Sequence, residues 1–361
     1  MTLIAYVINS VEGGGAALPV PSVLELLRRE GFEVTVLALT GRDGRALPAL
    51  AVAGIEVRVR DGGEHDHVAA LGWLRRQLAG IKPDIVWTSL TRATLLGQLA
   101  AASTPIVSWQ HAAFLKPANR RLLRMRHHRS ALWLADSRQV ASLTHSRLGV
   151  PLDRLLVWPL FAANLDAPQR TPWRPGEPIR LGSLGRLHPV KGYDVLIDAL
   201  AQLRGSLPPI TLTIAGEGRE RAALMAQAAA LGVDVALPGF APDPAAFLAG
   251  LHLYLQPSRS EGLCVAAHEA MAAGLPVLTS GVGELPNSIV EGETGGTVSP
   301  GNPSALAAAL AGLLAHPNRL APMGDAARAR VIDHFGPAAF AASGHAVATR
   351  IRAILAARAA A

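Results

Sequence analysis

Short apolar runs recur along the chain at the spacing of buried strands, separated by segments with helical periodicity. Leu3-Ile4-Ala5-Tyr6-Val7-Ile8 is followed by Gly13-Gly14-Gly15, by a helical segment from Val20 to Gly31, and by Val34-Thr35-Val36-Leu37. Pro83 to Trp87 and Pro105 to Trp109 repeat the run, with a helix from Ala93 to Ala101 between them, and Leu132 to Ser137 and Leu155 to Pro159 continue it. Continuous apolar runs, rather than alternating ones, are expected of strands buried on both faces, and intervening helices make the crossovers parallel. The pattern predicts an α/β fold. It resumes with Ile179 to Leu184, Leu212 to Ala215, Val235 to Phe240, Leu251 to Leu255 and Val277 to Thr279; residues 303–361 are helical in pattern, broken at Phe335-Gly336-Pro337.

The stretch from Ser258 to Val277 stands at the centre of this pattern. Pro257 and Ser258 end the preceding strand, a helix is predicted to start near Cys264, Gly274 suits a left-handed helix cap, and Pro276 forbids continuation. Glu261 and Glu269 bracket the first turns of that helix. A helix N-terminus after a glycine loop offers amides and a positive dipole end to a phosphate, and a carboxylate just inside suits a ribose diol. Together these describe a sugar nucleotide; taken alone, the two acids read more simply as a helix cap and a solvated face residue. Arg186 and Lys191, on a glycine turn after Ile179 to Leu184, suit a diphosphate, with solvent-facing loop cations as the bland alternative.

Composition narrows the setting. At 361 residues and 50% apolar the chain is long enough for two cores. The proline-dense stretch 167–178 marks the expected boundary, giving a first domain over 1–165, a linker over 166–178, a second domain over 179–335 and a terminal helix over 336–361. The single cysteine, Cys264, excludes an internal disulfide; with no base beside it in sequence it reads as a small helix-start filler rather than a nucleophile. The start lacks a basic n-region, and no uninterrupted apolar stretch reaches about 18 residues, so neither export signal nor membrane span is expected and a cytoplasmic location is. A dinucleotide-binding Rossmann site fits poorly, because the third glycine of its fingerprint would fall at Leu18 and the second strand ends in Thr40-Gly41-Arg42 rather than an acid.

Glu261-Gly262-Leu263, then Glu269-Ala270-Met271-Ala272, Gly274 and Pro276-Val277, resembles the paired-glutamate motif of family-four retaining glycosyltransferases. The resemblance implies the GT-B fold, two Rossmann-like parallel-sheet domains facing across a cleft, the first binding acceptor and the second a nucleotide-sugar, with the last helix crossing back to the first domain. It implies sugar transfer from a nucleotide-diphosphate donor, UDP-sugar ahead of GDP-sugar, to a hydroxyl of a glycan, glycolipid or lipid-linked acceptor, in cell-surface polysaccharide or lipopolysaccharide synthesis. Catalytic roles fall to Arg186, Lys191, Glu261 and His111, the last in a loop similar to the family's histidine loop beside the donor sugar. Donor binding falls to Glu269, Gly262, Leu263, Cys264 and Gly185, to Gly239 and Phe240 near the base, and to Gly14 and Gly15 of the glycine loop. No metal or other cofactor is expected, since Arg186 and Lys191 neutralise the leaving pyrophosphate. Nor is nucleic acid expected as a partner.

The chain departs from the family pattern at Ala16 to Pro19, Trp87-Thr88-Ser89, Pro159-Leu160-Phe161 and Asn287, the last also a good helix cap. No acid is placed as a nucleophile on the sugar's far face, so front-face departure and attack is the expected course. A sugar-nucleotide 2-epimerase of the same fold, and a non-catalytic nucleotide-sugar-binding protein, are the rivals.

Charge adds one feature. Residues 1–165 hold 19 Lys and Arg against 12 Asp and Glu, whereas 166–361 hold 15 of each, so the first half carries the whole net charge of +7. Within it, Lys116, Arg120, Arg121, Arg124, Arg126 and Arg129 stand in one acid-free segment interleaved with leucines and Met125. Such a segment suits peripheral docking on an anionic membrane; a solvated helix face or a site for an acidic acceptor would look the same.

Overall fold

The computed structural model of the chain describes residues 2–13, 17–111, 114–206 and 208–360. Two parallel sheets organise them. In the first half the strands are β1 (Thr2–Ile8), β2 (Phe32–Ala38), β3 (Glu56–Val59), β4 (Ile85–Ser89), β5 (Ile106–Gln110), β6 (Leu132–Ala135) and β7 (Leu155–Val157). Their order across the sheet is β3-β2-β1-β4-β5-β6-β7. In the second half β8 (Ile179–Leu184), β9 (Ile210–Ala215), β10 (Ala236–Gly239), β11 (Leu253–Gln256), β12 (Val277–Ser280) and β13 (Gly295–Val298) are ordered β10-β9-β8-β11-β12-β13. All ladders are parallel, as their apolar runs and helical crossovers require. Each sheet reverses direction of growth once, between β1 and β4 and between β8 and β11, and the carboxyl ends of strands at such a switch point are where open α/β sheets bind ligands.

The core of the first unit is built on aromatic rings. Tyr6, Trp87, Trp109, Trp158 and Phe340 form a chain with centroid separations of 5.9, 5.5, 5.2 and 5.4 Å. Trp87, where the chain departs from the family pattern, is fully buried in this stack and is core. Phe340 belongs to the terminal helix Pro337–Ala359, which lies so close that a Cβ on Gly344 would come within 2.1 Å of Leu26 and 2.7 Å of Trp158. Arg352 fastens the same helix, donating to the Glu30 carboxylate at 2.8 Å and standing over the Phe32 ring at 5.4 Å.

The chain divides into Met1–Ala162 with Ala338–Ala361, and Ala163–Pro337. The terminal helix thus returns to the first unit, while the proline-dense segment 166–178 belongs to the second unit rather than lying between units. Its backbone is tied down, with the Arg170 amide donating to Ala273 O at 2.8 Å and the Thr171 amide to Ala249 O at 3.2 Å, and Trp173 packs against the second core. Proline density here fixes an extended strap. Asn287, read as a helix cap, instead lies inside the short helix Leu285–Ser288. No helix among the described residues is long and apolar enough to cross a membrane.

Candidate donor site

β8 and β11, the switch-point strands of the second unit, deliver most of the chemistry. After β8 the chain turns through Gly185 and Arg186 into the single 3-10 turn Pro189–Lys191; after β11 it runs through Ser258 and Glu261 into the helix Val265–Ala272. The two loops are packed backbone to backbone. Gly192 has φ +66°, and a Cβ there would sit 2.1 Å from Pro257 O, so neither the conformation nor the space admits a side chain. Arg259 clamps the 3-10 turn from the other side, donating to both Asp194 oxygens at 2.7 and 2.5 Å and to Pro189 O at 2.8 Å.

Glu261 and Lys191 meet here. Lys191 Nζ donates to Glu261 Oε1 at 2.7 Å, and the same oxygen accepts from Ser258 Oγ at 2.6 Å and Gln256 Nε2 at 3.2 Å. Gln256 is held in turn by the Tyr254 hydroxyl, which donates to Gln256 Oε1 at 2.8 Å and accepts from the Leu184 amide at 3.2 Å. Burial of Lys191 works most strongly against its charge, but the Glu261 carboxylate together with the neighbouring Cys264 and Tyr193 more than offsets it and holds the ammonium above its ordinary pKa. Glu261, expected to face the ligand, therefore serves at least as the anchor that fixes a permanently charged lysine.

Glu269 lies one turn into the helix Val265–Ala272 and is only partly exposed. Its carboxylate has no hydrogen-bond or ion-pair partner among the described residues, and burial alone pushes its pKa up. An unpaired, desolvated carboxylate is costly unless something donates to it. The helix that carries it starts at Cys264 with φ +64° and no side-chain cap, which leaves its first turn without a side-chain acceptor. Burial pushes the Cys264 thiol far above its ordinary pKa, so it is no nucleophile. Arg186 is exposed and makes no hydrogen bond or ion pair among the described residues. Gly262 docks the loop through its carbonyl, which accepts from the Glu284 amide at 2.9 Å, and Leu263 is buried. Gly239 ends β10 with φ +93° and Phe240 after it is exposed.

In the first unit His111 follows β5. Its Nε2 lies 2.8 Å from Ser89 Oγ at the end of β4, and its Nδ1 faces an Asp136 oxygen at 3.6 Å. Nε2 is thus hydrogen-bonded, while the buried Nδ1 has no hydrogen-bond partner among the described residues. Gly14 and Gly15 fall outside the described residues. Of the basic segment, the helix Pro117–Arg126 exposes Lys116, Arg120, Arg121 and Arg124, but Arg126 donates to Gln98 O at 3.1 Å and Arg129 to Ala102 O at 3.0 Å. Arg126 is drawn in and half-buried, whereas Arg129 stays exposed despite its bond, so five of the six cations face outward.

Sequence reasoning missed Gln256, Ser258, Tyr254 and Arg259. Gln256 and Ser258 carried a signal in being polar residues at the carboxyl end of an apolar run; Arg259 stood beside the motif with no visible partner, since Asp194 lies 65 residues away.

Comparison with known proteins bears on the family and the fold. The family model for glycosyl transferases group 1 matches residues 168–330, and the model for glycosyltransferase family 4 matches residues 13–161. Among curated proteins, the chain is 34% identical over 209 residues to the GDP-mannose-dependent alpha-(1-6)-phosphatidylinositol monomannoside mannosyltransferase of Mycolicibacterium smegmatis, covering 54% of this chain and 53% of that protein. It is 36% identical over 151 residues to the D-inositol 3-phosphate glycosyltransferase of Segniliparus rotundus, covering 40% of this chain and 34% of that protein. The match thus spans about half, or less, of the length of these relatives. Among solved structures, Anabaena Alr3699/HepE in complex with UDP and glucose superposes with TM-score 0.83 at 21% identity, covering 98% of this chain and 100% of that one. Sucrose-phosphate synthase from Thermosynechococcus elongatus superposes at 0.82 with 18% identity, covering 98% and 100%. With two parallel-sheet α/β units of GT-B type and family models matched across both, the chain belongs to the group 1, family-four glycosyltransferases.

Proposed function

We propose that the protein transfers a sugar from a nucleoside-diphosphate donor to an acceptor hydroxyl with retention of configuration. The observation that carries this reading is the unpaired, half-buried Glu269 carboxylate on an uncapped helix, in the same unit as Arg186 and the Glu261-held Lys191. A ribose diol would supply the donors Glu269 lacks, and the uncapped amides and two cations would receive the diphosphate. As the glycosidic C–O bond breaks, charge develops on the leaving phosphate, where Arg186 and Lys191 stabilise it without a metal. The acceptor oxygen attacks the anomeric carbon from the face the phosphate leaves, and that phosphate takes the hydroxyl proton. His111, hydrogen-bonded through Nε2 to Ser89, is proposed as a sugar contact.

Uridine is proposed ahead of guanosine on the fold neighbour solved with UDP, although a curated relative is named for GDP-mannose. The acceptor is proposed to be a glycan, glycolipid or lipid-linked hydroxyl of cell-surface polysaccharide or lipopolysaccharide synthesis. Relatives named for phosphatidylinositol mannoside and inositol phosphate support that class. A screen of UDP- and GDP-sugars tests the reading. Released nucleoside diphosphate with retained anomeric configuration, unaffected by EDTA, is expected. An epimerised donor, thermal stabilisation without turnover, or loss of activity to chelator with rescue by magnesium would overturn it.

The outward face of the helix Pro117–Arg126 supports a cytoplasmic protein docked at the inner membrane face. Lys116, Arg120, Arg121 and Arg124 stand beside Leu122 and Met125, which are 44% and 61% exposed. At about 1 kcal/mol per charge near an anionic surface, four charges give up to about 4 kcal/mol before screening. Co-sedimentation with anionic vesicles should fall to the neutral-lipid level in an Arg120, Arg121, Arg124→Glu variant; equal pelleting would remove the docking role.

A further inference from the structure

Three consecutive strands of the first unit, β5, β6 and β7, begin beside an open cavity of about 410 Å³. The loop before β5 contributes Ser103 and Thr104, the turn before β6 contributes His128 and Arg129, and Arg154 immediately precedes β7. This is the amino edge of the sheet. His111 and Ser89 lie at the carboxyl edge, about 15 Å away along β5 at a strand rise of about 3.3 Å per residue. The cavity is therefore separate from any ligand held at the sheet's switch point.

Two guanidinium groups, one imidazole and two hydroxyls line this cavity, with no carboxylate among its lining side chains. Neither Arg129 nor Arg154 forms an ion pair among the described residues. Arg129 donates to the carbonyl of Ala102, a non-glycine residue held at φ +41°, which pins one wall in a strained turn. A helix end needing its carbonyls capped accounts for that bond, but not for Arg154 or His128. The neighbouring His127 is pushed below its ordinary pKa first by burial and then by its closeness to His128 and Arg154.

We propose that this cavity binds a phosphate monoester group. Guanidinium forks match the paired oxygens of a phosphate, and Ser103 and Thr104 hydroxyls can donate to those remaining. The volume exceeds that of the phosphate itself and leaves room for the esterified group. That group belongs to a soluble phosphorylated metabolite or to a lipid headgroup.

The test is calorimetric titration of inorganic phosphate into Arg186→Ala protein, in which a phosphate-facing cation of the proposed donor site is absent. Saturable binding is expected to persist there and to weaken about tenfold when Arg154→Ala is added, as loss of a charge-assisted contact predicts. Arg154→Lys should recover part of it. Arg154 is exposed and unpaired, so unchanged melting of its variants checks the fold. Pelleting with phosphatidic acid vesicles, against phosphatidylglycerol vesicles of matched charge, separates the sources. A headgroup ligand makes the phosphatidic acid preference depend on Arg154, and a soluble ester leaves pelleting unchanged while the titration still responds. No saturable phosphate binding, or binding indifferent to Arg154, overturns the proposal.

Discussion

Lys191 Nζ donates to Glu261 Oε1 at 2.7 Å, joining two loops that are 70 residues apart in the chain. The pair does two things at once. It closes the loop after β8 onto the loop after β11, and it supports a charge that burial disfavours. Glu261→Gln keeps the shape and the contacts to Ser258 and Gln256 but removes the counter-charge. We expect turnover to fall about 10²-fold while the melting temperature changes little, as for loss of one preorganised electrostatic element. Steady-state kinetics beside a thermal melt decide it, and kinetics matching wild type would reduce the pair to a structural tie.

Glu269 should trade stability against function. Its carboxylate is penalised by burial and has no donor among the described residues, so its folded pKa is raised and its ionised form costs stability at neutral pH. Glu269→Gln removes that cost, so the melting temperature of the ligand-free protein should rise. The same variant should be stabilised less than wild type by added nucleoside diphosphate. A fall in ligand-free melting temperature would mean that Glu269 is held by contacts of its own.

His268 sets an acid limit for the second unit. It is buried and neutral, its Nδ1–H donates to Cys264 O at 3.0 Å, and its Nε2 accepts from Ser288 Oγ at 2.8 Å. Burial, opposed only in part by the Cys264 carbonyl, brings its pKa down to about 4. A base depressed in the folded state binds its proton more readily when unfolded. Its contribution is therefore complete above about pH 6.5 and is lost as pH falls from there toward 4, up to about 3 kcal/mol. Denaturant melts across that window should steepen in wild type and flatten in His268→Gln, and parallel profiles would show that other groups carry the acid sensitivity.

Much of the fold was legible because central parallel strands are apolar on both faces. β1, β4, β5 and β6 are buried at nearly every position. The edge strands β3 and β13 were not legible. Glu56–Val59 is mostly exposed and carries a charge at alternate positions, and Gly295–Val298 opens on two glycines, so neither presents an apolar run. The packing of the proline-rich segment 166–178 was not legible for a different reason, since composition reports stiffness but not what a segment packs against. At the site, sequence marked Lys191 and Glu261 as separate ligand contacts; their mutual pairing depends on the β8–β11 adjacency, which only the strand order supplies. His111 was marked as a sugar contact, while its Ser89 partner and the Asp136 oxygen it faces come from two other strand ends.

The most direct test of the account is calorimetric titration of UDP and of GDP into wild type and Glu269→Ala. The account predicts that one nucleotide binds wild type and that the variant, folded by its melt, loses the charge-assisted bonds of about 1.5–3 kcal/mol each that a ribose diol makes to the carboxylate. Two such bonds correspond to a loss of at least about 10²-fold in affinity. Unchanged affinity in the folded variant would contradict the placement of the donor ribose at Glu269, and with it the reading of this unit as a nucleotide-sugar site.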